Sequence, residues 1–155
     1  MIKYCLDKWS KNSGKLRTFF EKSDYLGEYS YEDLLMFTIR YVLNDTDNLE
    51  DFENWDYTKI RKIDDGQYQG HLIFVFPRCV YQPAEYDYMI TYIGYGSCSI
   101  CDTLQGIQTE LEEEYADRKE CINDLMMVCR DMMVHMLVPY NYGWRYKKEY
   151  EQIEM

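Results

Sequence analysis

Cys98 and Cys101 sit in the run Tyr95-Gly96-Ser97-Cys98-Ser99-Ile100-Cys101-Asp102-Thr103-Leu104, which joins a Tyr-rich apolar segment to a helical one. Two thiols at this spacing can pack a tight corner, exchange disulfides, or supply half of a zinc ligand set. A helix N-terminus lowers a thiol pKa through its unpaired amides, and Asp102 or Thr103 is placed to cap those amides. Against redox work stand the negative Asp102 beside the thiols and the lack of a nearby Lys or Arg. The order of elements also differs from that of a thioredoxin. A structural zinc site needs four ligands, and Cys98 with Cys101 provides two. Of the candidates for the rest, Cys121 and Cys129 are about two helical turns apart, too far to bind one ion side by side. Cys79 with His71 or His135 is the other option. The plain expectation is therefore that both cysteines are small buried residues at a strand-to-helix corner, with no cofactor and with zinc or thiol redox as the alternative.

No nucleophile–base pattern, phosphate loop or full metal-ligand set is present, so a non-enzymatic protein is expected. His71 and His135 are isolated, and His135 is read as a hydrogen-bonded helix histidine beside a Met-rich stripe.

The chain carries a formal charge of −11, with a pI near 4.6. That balance opposes direct binding to nucleic-acid phosphates and favours basic partners. The acids are uneven. Asp45, Asp47, Glu50, Asp51, Glu53 and Asp56 occupy one stretch without Lys or Arg, and a second such stretch, from Cys79 to Asp117, ends in Glu110, Glu112, Glu113, Glu114 and Asp117. A solvated surface is the ordinary role of such runs, and docking to a cationic cleft is the functional one. The seventeen tyrosines and Trp55 offer amphipathic anchors for either a core or an interface.

At 155 residues the chain suits a single domain, 1–155, with a polar, Tyr-rich tail from about 140. No leader or membrane-spanning run is legible, so the cysteines are expected reduced, in a cytoplasmic setting. Leu16, Phe19 and Phe20 mark a first helix, and Ser30 caps a second whose stripe runs through Leu34, Leu35, Phe37, Thr38, Tyr41 and Val42. Strands are expected over 57–63, 67–76 and 86–95, with Asp64-Asp65-Gly66 as a hairpin turn. Helices follow over 103–115 and 118–137. In the last, Ile122, Leu125, Met126, Cys129, Met133, Met136 and Leu137 form a stripe widened by Met127, Val128 and Val134. Its breadth implies cover on more than one side, by the sheet and by another helix or a second subunit. The fold class expected is α+β: a three-stranded antiparallel meander with two helices before it and two after.

The segment Tyr92–Ile107 resembles a motif of small bacteriophage and prophage proteins, Tyr-Gly-Ser-Cys-Ser-x-Cys-Asp-Thr-Leu. The likeness covers little more than the strand-to-helix turn, and it implies a phage setting without a mechanism. That setting leads to the expectation of an acidic interaction protein that blocks a basic, nucleic-acid-binding host defence enzyme, of anti-CRISPR or anti-restriction type. A self-assembling structural protein, as a homodimer through the Met-rich helix, is a third possibility.

Overall fold

A computed structural model describes residues 2–44 and 53–139. Helix α1 spans Ile2–Lys22, and α2, Tyr31–Thr38, continues into a π turn over Ile39–Leu43. Strands β1 (Arg61–Asp64), β2 (Gly70–Pro77) and β3 (Tyr88–Tyr95) follow, then α3 (Thr103–Leu111) and α4 (Arg118–Val134). The sheet order is β1-β2-β3, antiparallel throughout, so the fold is the α+β meander with two helices on each side of it in sequence.

Local chemistry fixes the helix starts. Ser30 and Asp33 close a reciprocal capping box at α2, while Asp102 and Asp117 accept from the Gln105 and Glu120 amides at the starts of α3 and α4. Several boundaries differ from those expected. The segment 57–59 is a 3-10 turn, and β1 begins only at Arg61. The first hairpin is longer than an Asp-Asp-Gly turn: β2 starts at Gly70, with Asp64 accepting from the Gly66 amide and Asp65 from the His71 amide. Helix α3 stops at Leu111 and α4 at Val134, and Leu137 instead pairs with Ile90 at the free edge of β3. The tail from about 140 lies outside the described residues.

The core face of the sheet carries Phe74 and Phe76 from β2 opposite Thr91 and Met89 from β3, all buried. Strand β1 is exposed at every position, and Arg61, Lys62 and Asp64 guard that edge against further strand pairing. Gly70 stands opposite Tyr95, so no side chain blocks the Tyr95 hydroxyl from reaching across β2 to donate to Asp64 Oδ1 at 2.5 Å. This bond holds the Asp64 carboxyl below its ordinary pKa and pushes Tyr95 up to about 12.

Helix α4 runs through the middle of the packing, touching α1, α2, α3 and β3. That position explains its wide stripe from within one chain. Cys121, Ile122, Leu125, Met126, Val128, Cys129, Met132 and Met133 are all buried, and no second subunit is needed to cover them. The last carbonyls of a helix lack internal donors. At α4 the buried Thr91 hydroxyl donates to the Met132 carbonyl at 2.5 Å. Thr91→Val is expected to cost about 1–2 kcal/mol by stranding that carbonyl, read from denaturant unfolding midpoints.

Candidate functional site

The strand-to-helix turn is built around the Asp102 carboxylate, which is 3 % exposed. Its Oδ1 accepts from the Gln105 amide at 2.9 Å and from the Tyr31 hydroxyl at 3.0 Å, and its Oδ2 accepts from the Gly96 amide at 2.9 Å. Tyr31 in turn accepts from the Leu104 amide at 3.2 Å, so two of the free amides at the start of α3 are satisfied at one hub. Burial pushes the Tyr31 phenol well above its ordinary pKa. Gln105 returns a bond to the Gly96 carbonyl at 3.1 Å, closing the end of β3 onto the helix. The hub forms one wall of a cavity of about 420 Å³, whose lining among the described residues includes Glu28, Glu32, Asp64 and one base, Lys62.

Glycine at 96 is a steric requirement. A Cβ there would lie 2.6 Å from the backbone carbon and oxygen of Cys101. Gly96→Ala is therefore expected to cost about 1–3 kcal/mol through backbone displacement in a buried site, measurable by thermal or denaturant unfolding.

The two thiols are not packing residues. Cys98 and Cys101 are both exposed, the reverse of the burial expected for them, because the hub that anchors the turn is Asp102 and the turn itself projects outward. Their sulfurs are 3.1 Å apart. The Cys98 carbonyl accepts from the amides of Cys101 and Asp102, which fixes the turn. The hydrogen bond between the two thiols, helped by the Cys101 and Ile100 amides, lowers the Cys98 pKa, while Cys101 is raised by the same pairing. Cys5, Cys121 and Cys129 are buried, and Cys129 is pushed up to about 12 by desolvation. Among the described residues no group of three or more His, Cys, Asp or Glu side chains is arranged to hold a metal ion.

The acidic residues divide. Asp45, Asp47, Glu50 and Asp51 lie outside the described residues. Glu53 is exposed, and Asp56 caps the turn at 57–59 and pairs with Lys59 at 3.9 Å. Trp55 is no surface anchor. It is 1 % exposed, edge-on to Phe76, with the Arg78 guanidinium 4.4 Å over its ring. Glu112, Glu113 and Glu114 are exposed in the turn between α3 and α4 beside Tyr115, which is 92 % exposed, and Asp117 is engaged as the α4 cap. His135 stacks on Tyr92 at 4.4 Å, and its Nδ1 has no hydrogen-bond partner among the described residues, unlike the bonded histidine expected.

Glu110 belongs to a feature that the acidic runs do not show. Thr103, Gly106, Ile107 and Glu110 recur at helical spacing on α3 and face Asp124, Met127, Val128 and Asp131 on α4 across a groove of about 490 Å³. Ile107 and Val128 are buried in its floor, and Met127 is 63 % exposed on its wall. Among the described residues the charged members of its lining are Glu110, Asp124 and Asp131, without a Lys or Arg. Met127 divides this groove from one between α1 and α4, where Arg17 and Arg130 are lining residues. The two flanks of α4 thus carry opposite charge. No family model, curated protein or solved structure matches this chain, so residues and geometry alone indicate what the site can hold.

Proposed function

We propose that this chain is a non-enzymatic interaction protein whose acidic surface occupies a basic, nucleic-acid-binding cleft of a host defence nuclease. The observation that carries the reading is the α3–α4 groove, which joins an apolar floor to a rim whose charged members, among the described residues, are all carboxylates. Apolar contact supplies the desolvated centre of an interface, and the carboxylates stand where phosphates would meet the partner's Lys and Arg. Glu112, Glu113, Glu114 and Tyr115, exposed in the turn that follows α3, add further carboxylates and a ring to the surface close to Glu110 in sequence. The Arg17 and Arg130 flank repels a cationic partner and so sets the side from which it docks. The phage-like turn supports a defence enzyme as the partner class.

The test is competition. Purified chain is titrated into a panel of CRISPR and restriction nucleases holding labelled DNA, and DNA release is followed by anisotropy. At least one enzyme is expected to lose its DNA, less readily as salt rises. Retention of DNA by every member, at concentrations well above that of the enzyme, counts against the reading.

A further inference from the structure

We propose that Cys98 and Cys101 form a thiol–disulfide exchange centre that takes an accessible external disulfide as its substrate. This goes beyond the partner-binding reading and does not rest on it. Both sulfurs are exposed, they lie 3.1 Å apart, and a disulfide bond of about 2.05 Å needs an approach of only about 1 Å more. The backbone beneath them is fixed. The Asp102 hub holds one end of the turn, and the Ser99 carbonyl lies so close over α3 that a Cβ on Gly106 would approach it to 2.9 Å. Ile100, between the two cysteines, is 95 % exposed, which leaves the approach to both sulfurs open.

The exchange balances with the external disulfide as the oxidant. The Cys98 thiolate attacks one sulfur of that disulfide. A Cys98–sulfur bond forms, the external sulfur–sulfur bond breaks, and the first thiolate leaves. Cys101 then gives its proton to solvent, and its sulfur attacks Cys98 Sγ. The internal disulfide closes and the second external thiolate departs, so both electrons lost by the cysteine pair reside on the two released thiols. Cys98 suits the attacking role because the Cys101 thiol and the turn amides stabilise its thiolate. The remaining cysteines do not compete. Cys5, Cys121 and Cys129 are buried, and burial raises the half-buried Cys79.

Oxidised glutathione added to the full chain, with products read by mass spectrometry, tests the proposal. The unmodified chain is expected to lose two hydrogens, release two equivalents of glutathione per chain and retain none. Cys101→Ser is expected to trap one glutathione on Cys98, and Cys98→Ser to react at least tenfold more slowly. Both substitutions fall on exposed side chains, so folding is preserved. Glutathione retained on the unmodified chain, or a Cys98 rate no faster than that of Cys79, overturns the proposal. So does stoichiometric zinc on the purified chain that blocks the exchange.

Discussion

Asp102→Ala is expected to destabilise the protein by about 2–4 kcal/mol, the sum of a lost helix cap, about 1 kcal/mol, and a stranded buried amide at Gly96, about 1–3 kcal/mol. The same substitution removes the acceptor of the Tyr31 hydroxyl, which comes from α2 and otherwise ties that helix to the α3 start. Asp102→Asn separates the contributions. Its Oδ1 still accepts from Gln105 and Tyr31, but its amide nitrogen cannot accept from the Gly96 N–H. The Asn variant is therefore expected to fall between the parent and Ala. Denaturant unfolding of the three proteins gives the order, and equal stability of parent and Ala would show that the turn is held by other contacts.

The second large effect is on binding. Neutralising the groove as Glu110→Gln, Asp124→Asn and Asp131→Asn together is expected to weaken binding of the proposed nuclease partner by about a hundredfold. That follows from about 1 kcal/mol for each half-screened charge pair and tenfold for each 1.4 kcal/mol. The salt dependence of binding is expected to flatten with it, because screening over a Debye length of about 8 Å acts on those pairs. The three side chains are half-buried or exposed, and all belong to residues away from the core, so stability stays close to that of the parent. Met127→Lys is the complementary change. It places a cation on the groove wall at an exposed position, and is expected to weaken the same partner by repulsion while leaving unfolding unchanged.

Much of the fold was legible because its signals are local. Ser30 with Asp33 marks the start of α2, the run from Leu72 to Phe76 marks a buried strand, and Asp102 stands where a cap is needed. Long-range partners were not legible. Tyr31 reaches Asp102 from 71 residues away, and Trp55 lies in an acidic stretch yet is buried by Phe76 and Arg78. The exposure of the thiol pair was not legible for a related reason. Gly96 and Asp102 are the buried members of the turn, and the cysteines stand on its outer side.

The acidic site was half visible. Runs of carboxylates mark 45–56 and 110–117, but a run on a helix disperses around it. Asp124 and Asp131 are scattered through an apolar stripe, and only their seven-residue spacing, with Met127 between them, places them on one side of α4 facing Glu110. Breadth of the α4 stripe pointed equally to a second subunit. Contacts with α1, α2, α3 and β3 satisfy it, leaving Met127 as the large apolar residue of that helix in solvent.

The proposed function requires a basic partner to land in the α3–α4 groove. A nitrogen-15 labelled sample titrated with a short amphipathic Lys/Leu helical peptide reads this residue by residue. Amide shifts are expected to centre on Glu110, Asp124, Met127 and Asp131 and to vanish in the triply neutralised variant. Shifts spread evenly over the acidic surface, or unchanged in that variant, would contradict it.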